Sequence, residues 1–387
     1  MRFGLRFFVV LVSFFLVVVL VLSGFFFFDL GGGSGLNHSS LSGRLFYLGY
    51  LDYVVDDPQP DVRGLASSPD SGFIGVNLFH PRKFQDVYLV DMGGEIIHNW
   101  SLSDTYKDIR FSEMADNDSI FVIGDMPGRG WGLAKIAWNS SIEWVSEGEY
   151  HHDMSQAKDG RLYVLGRRYR KINLGSETKR IIDNQIVVLT KDGELSREIS
   201  IYDVLSDEFE IQYDYEGDIF HLNTIEVIEG DVGVAGKGDV LVCARHFKPN
   251  VMILDIKNSS MVWGWNGGEI LFPHHPTFLD NGNLLVFDNG GMARNYSRIL
   301  EVNPMTGETV WEYKNESSFW SYIIGGNQRL PNGNTLITES ARGRVFEVTP
   351  EGKVVWEYLN PFYKKGRRTI IPRMMRYNRE SFPLTKN

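Results

Sequence analysis

Cysteine is nearly absent. Cys243 is the only one in 387 residues, so no disulfide can form within the chain. Its setting, the apolar run "GDVLVCAR", reads as that of a small buried strand residue rather than a reactive thiol. Positive charge is also scarce: 39 Lys and Arg stand against 49 Asp and Glu, a formal net charge of −10. That balance excludes nucleic acid as the main partner, because phosphates need a basic face. Histidine is missing from the whole C-terminal part, since none of the nine follows His275. Core material is plentiful. With 43% hydrophobic and 13% aromatic residues, the chain can bury one large all-β domain or two smaller ones.

Charge is absent altogether from residues 7 to 28, "FFVVLVSFFLVVVLVLSGFFFF". An apolar run of that length can cross a bilayer as a helix. Arg2 and Arg6 precede it and no positive cluster follows, which predicts a cytoplasmic N-terminus and an extracytoplasmic remainder. No A-x-A-like cleavage site follows the run, so residues 1–30 read as a cytoplasmic stub and an uncleaved transmembrane signal anchor. Residues 31–43, containing "GGGSG", read as a flexible linker. Sequons at Asn37, Asn99, Asn117, Asn139, Asn258, Asn295 and Asn315 suit an exported, glycosylated chain.

The rest of the sequence repeats itself. "NGNLLVFDNG" at 281 returns as "NGNTLITES" at 332, "DGRLYVLGR" at 159, "GDVLVCARH" at 238 and "DSIFVIGD" at 118. Most open on Asp-Gly or Asn-Gly, the residues of tight hairpin turns, and then alternate as strands. A strand–turn–strand unit follows each, often ending in Trp, as in "VYLVDMGGEIIHNW" at 87 and "ILEVNPMTGETVWEY" at 299. Six such units of four short strands predict an all-β fold, a six-bladed β-propeller over residues 44–362. The first blade is the weakest, with "GFIGVNLF" at 72 as its inner hairpin. Residues 363–387 read as a basic tail, packed on the propeller or flexible.

In a propeller the innermost strand of each blade lines the central channel. Counting back seven residues from the turn-opening Asn281 gives His274, and from Asp159 it gives His152. Asn332 and Asp118 give Gly325 and Phe111. The longer-looped fourth blade, "DIFHLNTIEVIEG", offers His221 in the corresponding place. His152, His221 and His274 should therefore meet in the channel, with His275 turned towards its neighbours. Arginines recur just beyond the next strand: Arg167, Arg168 and Arg170, then Arg245, then Arg294, then Arg342 and Arg344. Guanidinium forks suit tetrahedral oxyanions, so an anion pocket is one expectation and pairing with rim carboxylates is the other. Tyr150, Phe220 and Phe272 lie near the histidines, as ring-stacking walls or as ordinary core. Three convergent histidines could also hold a metal ion, and a propeller can keep its fold as a binding module without catalysis.

The segments "HHD" at 151, "DIFHLN" at 218, "HHPTFLDNGNLLVFDNG" at 274 and "QRLPNGNTLITES" at 328 resemble the arylsulfotransferase family. The resemblance implies a six-bladed propeller enzyme that moves a sulfuryl group from an aromatic sulfate ester to a phenol. It implies channel histidines acting with an arginine, and neither a cofactor nor a metal. His221 and His274 match the family's histidines, Arg294 lies near its arginine, and His275 stands where the family more often has Asp. Its best-understood members carry the sulfuryl group on a histidine in the C-terminal part, where this chain has none. The expectation is a catalytic set of His221, His274, His152 and Arg294, with Arg167, Arg245, Arg342 and Asn223 binding the anion.

Overall fold

The computed structural model describes Val54 and residues 57–382, apart from 68–71, 117, 175–176, 206–216, 268–269 and 292. Six antiparallel sheets of at least four strands surround one axis. Blade 2 is Asp108–Asp116, Ser119–Met126, Gly130–Ala137 and Ile142–Glu147, from channel to rim. Blade 3 follows with Tyr150–Gln156, Leu162–Leu174, Glu177–Leu189 and Leu195–Ser200. Blade 4 is Leu222–Val227, Val240–Ala244, Val251–Asp255 and Ser260–Trp265. Blade 5 is His274–Phe278, Leu284–Asp288, Arg298–Val302 and Thr309–Lys314.

The ends of the chain close the ring together. Blade 1 takes its innermost strand, Met374–Tyr377, from the C-terminus and pairs it with Val76–Phe79, ahead of Asp86–Val90 and Ile96–Ser101. Residues 374–377 of the basic tail are thus a channel strand rather than a segment on the flank, and "VNLF" is the second strand of its blade. Blade 6, Gly326–Arg329 to Val354–Leu359, carries Gly64–Ser67 as a fifth, outermost strand. Each end of the chain covers a strand edge that would otherwise stay unpaired.

The turn chemistry explains the hairpins. In blades 3, 5 and 6 the glycine after Asp159, Asn281 or Asn332 is left-handed, with φ of 87, 81 and 87°. The acid or amide side chain accepts from the backbone two residues on, for instance Asn283 N–H to Asn281 Oδ1 at 3.0 Å. The tryptophans that end the repeats stitch blades together. Trp100, Trp263, Trp311 and Trp356 each donate Nε1–H to a carbonyl of the next blade, at 3.1, 3.0, 2.7 and 3.0 Å. The last of these joins blade 6 to blade 1. Because strand residues alternate faces, Val240, Val242 and Ala244 pack towards blade 3 while Leu241 and Cys243 pack towards blade 5.

Candidate active site at the channel mouth

Three bulged inner strands build the site. Register slips opposite Tyr150–Met154, between Leu222 and Thr224, and between His274 and Thr277. His152, His221 and His275 sit at φ of 58, 51 and 48°, a region that costs a non-glycine residue about 1 kcal/mol or more. Counted back from the hairpin pairs Gln156–Leu162, Val227–Val240 and Phe278–Leu284, Asn223 rather than His221 stands level with His152 and His274. His221 lies two residues nearer the mouth, and its left-handed backbone still brings it to the site. The rings of His151, His152, His221 and His246 form a chain with successive centroid distances of 4.9, 5.2 and 4.9 Å.

Each channel histidine is held through Nδ1. Asn289 Nδ2 donates to the carbonyls of Ser321 and Ile324 at 2.6 and 2.8 Å, which fixes its Oδ1 towards His274 Nδ1 at 2.7 Å. His274 Nδ1 must then carry the proton, leaving the lone pair on Nε2. His151 Nε2 reaches the Gly166 carbonyl at 3.2 Å, so its Nδ1 is the acceptor for His152 Nδ1–H at 2.7 Å. His221 Nδ1 lies 2.8 Å from Asp218 Oδ2, an ion-pair distance without the alignment of a straight hydrogen bond. Asp218 is fixed by His221 N–H at 2.9 Å and by Asn184 Nδ2 at 3.3 Å. Among the described residues, no hydrogen bond engages Nε2 of any of the three imidazoles.

Burial holds His151, His152 and His274 in the neutral form. It pulls His274 down to about 3, with the Arg245 charge pushing the same way, and His151 down to about 4. His152 is held well below the usual histidine range by burial, then by charge on His151, His221 and His274. Its ring is open to the channel lumen, yet the surrounding protein disfavours a charge there. Burial alone would raise Asp218, but His221 outweighs it and holds the carboxyl well below the usual carboxylate range.

His275 has a different task. Its Nδ1 accepts from Asn327 N–H at 3.1 Å, while its own N–H goes to Thr224 Oγ1 at 2.9 Å. Asp153 accepts in the same way from Ile225 N–H, at 3.2 Å. These side chains satisfy the backbone donors that inner strands leave facing the next blade. Asn223 does similar work, donating Nδ2–H to Pro273 O at 2.9 Å just ahead of His274.

Most of the arginines meet carboxylates. Arg167 lies 3.4 Å from Glu149, Arg294 2.7 Å from Asp288, and Arg342 3.4 Å from Glu339. Arg294 also donates to Tyr296 O at 3.1 Å. Arg245 stands over the Phe272 ring at 5.2 Å and next to His274. Of the three aromatics, Tyr150 and Phe220 belong to the core. Phe272 is half-buried, with His246 6.4 Å from its ring.

Below the histidines, Glu113, Asp153 and Glu226 lie on the inner strands of blades 2, 3 and 4. Arg373, one residue ahead of the closing strand, reaches across to Asp153 with both forks, at 2.9 and 3.3 Å. Burial raises Glu113 to about 7 and Glu226 to about 8. Asp218 and Asn289 stand inside the motifs "DIFHLN" and "FDNG", whereas Arg373 follows the repeats and carries no such signal. Among the described residues, no three or more His, Cys, Asp or Glu side chains are grouped to hold a metal ion.

The family model described as "Arylsulfotransferase (ASST)" matches residues 119–361, more than half of the chain. A search of curated proteins found no match. Among solved structures, a protein of unknown function from Bacteroides caccae is 16% identical, covering 79% of this chain and 99% of its own, with a TM-score of 0.54. Virginiamycin B lyase from Staphylococcus aureus is 11% identical, covering 81% of this chain and 88% of its own, with a TM-score of 0.44. At 16% identity, the likeness to the Bacteroides protein concerns the fold alone.

Proposed function

The chain belongs to the arylsulfotransferase family, and from that premise we propose that its channel mouth transfers a sulfuryl group between phenols through a histidine intermediate. The observation that carries the reading is the common state of His152, His221 and His274: Nδ1 held by a partner, and no hydrogen bond on Nε2 among the described residues. His274 Nε2 attacks the sulfur of an aromatic sulfate ester, the sulfur–aryl oxygen bond breaks, and the phenolate departs. The Nδ1–H bond to Asn289 spreads the positive charge that the sulfonated ring acquires. His221, its Nδ1 beside Asp218, takes the acceptor phenol's proton on Nε2 and afterwards releases it to solvent, where the departed phenolate is protonated. The acceptor oxygen then attacks sulfur, the N–S bond breaks, and His274 is restored. Arg245 faces the sulfuryl oxygens beside His274, with Arg294 a more distant contributor through its tie to Asp288.

The test is turnover of 4-nitrophenyl sulfate with a phenol acceptor. His221→Ala and His274→Ala should each lower kcat by at least about 10²-fold, and His275→Ala should lower it far less than either. Rapid quench should trap a sulfonated histidine in the wild type and none in His274→Ala. No transfer to any phenol, and no trapped intermediate, would leave a binding module as the better account.

The run at residues 7 to 28 lies outside the described residues, among which no helix is long and apolar enough to cross a membrane. Its lack of charge, together with Arg2 and Arg6, supports a single-pass anchor with the propeller on the extracytoplasmic side.

A further inference from the structure

On the turn side of the ring, away from the histidines, the outer parts of blades 3 and 4 leave a groove of about 400 Å³. Arg161, Tyr163, Val188, Ser196 and Arg197 line it from blade 3, and Lys237, Gly238, Ile256 and Lys257 from blade 4. A second hollow of about 430 Å³ adjoins it and shares Arg161, Tyr163, Lys237 and Gly238. We propose that this groove binds a small anionic ester, a sulfate or phosphate monoester, with the oxyanion among the cations and the apolar part on Val188 and Ile256.

Two independent observations carry this. The first is Tyr163, whose side chain is 2% exposed and lines both hollows, while among the described residues no hydrogen bond reaches its hydroxyl. The ring is packed into the blade while the hydroxyl opens into the hollows, where it can donate to a ligand oxygen. The second is the charge. Arg161 is paired with Asp159 at 2.7 Å, but among the described residues no ion pair or side-chain hydrogen bond engages Arg197, Lys237 or Lys257.

The neighbouring carboxylates are already committed to backbone amides. Asp231 accepts from Lys237 N–H at 3.0 Å, Asp255 from Lys257 N–H at 2.9 Å, and Glu229 from Lys158 N–H at 2.6 Å. The charges of Lys237 and Lys257 are felt at Asp159 and Asp255, yet among the described residues neither lysine, nor Arg197, is drawn into an ion pair, in a chain of net charge −10. The volume suits a small molecule. The site is separate from the channel: inner strands run the length of the blade between them, on the order of 15 Å at 3.3 Å per residue.

The experiment is calorimetry on the full chain carrying His152→Ala and His274→Ala, so that ligand entering the channel mouth does not report. The probes are 4-nitrophenyl phosphate, 4-nitrophenyl sulfate and uncharged 4-nitrophenol. Both esters should bind in one step and the phenol should not. The phosphate, with the greater charge, should bind tighter than the sulfate. Lys237→Ala with Lys257→Ala should weaken binding about tenfold, and added salt should weaken it further. Tyr163→Phe should weaken binding several-fold with no loss of thermal stability, since it removes a hydroxyl that has no partner in the free protein. Equal affinity in the double-lysine variant, equal binding of the phenol, or no heat from either ester at millimolar concentration would overturn the proposal. Its failure leaves the histidine chemistry untouched, because transfer is measured separately with the channel histidines present.

Discussion

Replacing Arg373 by methionine should loosen the site from a distance. Asp153 is 1% exposed and takes both forks of Arg373, at 2.9 and 3.3 Å, besides the Ile225 amide. Removing one partner of such a buried pair leaves an uncompensated charge and costs about 3–5 kcal/mol. Burial already pushes the Asp153 carboxyl up against the pull of Arg373, so the orphaned group would take up a proton and limit the loss to the lower end of that range. His152 precedes Asp153 at φ 58°, a strained geometry that persists only where its surroundings hold it. Stability and turnover should therefore fall together. Urea denaturation of Arg373→Met should show a loss of about 3 kcal/mol, and kcat for sulfuryl transfer should drop at least tenfold. Arg373→Lys keeps the charge without the fork and should fall between. The decisive measurement is the double-mutant cycle with Asp153→Asn, which should give a coupling of about 1–3 kcal/mol. Additivity of the two single changes to within about 0.5 kcal/mol would refute the reasoning.

Asn289→Leu should leave His274 Nδ1–H with only the Phe272 carbonyl, at 3.0 Å, and lower turnover about 10- to 100-fold, the usual effect of losing an orienting partner. Nitrogen NMR should show a shifted His274 Nδ1–H signal, and an unchanged one would contradict the assignment. Glu226, raised to about 8 by burial, keeps its proton in the folded chain above the unfolded carboxyl range, so its contribution is lost as pH rises towards 8. Glu226→Gln should accordingly gain in Tm relative to wild type on going from pH 5 to pH 9, and a shrinking difference would count against it. Protease added to intact cells should reach the propeller if the anchor has the orientation argued from Arg2 and Arg6, whereas protection equal to a cytoplasmic control would reverse it.

The propeller was legible because its signals are local. Asn-Gly and Asp-Gly demand a left-handed residue wherever they occur, and Gly160, Gly282 and Gly333 supply it. The Trp at the end of the outer hairpin recurs because Nε1 must reach the neighbouring blade. Ring closure is not local. Met374–Tyr377 pairs with Val76–Phe79 across nearly the whole chain, so a strand of four residues carries no turn of its own to announce it. The first blade looked weak for the same reason: its inner strand stands at the other end of the sequence.

The site divides along a similar line. Register counting found His152 and His274 because inner strands are regular near their turns, and it grew less reliable towards the mouth, where bulges insert residues. That is why His221 falls two residues from the level first assigned to it and still meets His152 at 5.2 Å. Which nitrogen each ring offers depends on Asn289, Asp218 and His151, side chains whose spacing from their partners differs in every blade. For most of the arginines the second of the two expectations, pairing with a rim carboxylate, is what the structure shows, for an electrostatic reason. In a chain with 49 acidic residues, a guanidinium at the rim usually finds a carboxylate before it finds a substrate. Asp288, with no exposed side-chain surface, holds both Arg294 and Arg298 at 2.7 and 2.6 Å. Arg245 stands over the Phe272 ring and beside His274, which is why the proposed transfer assigns the sulfuryl oxygens to it.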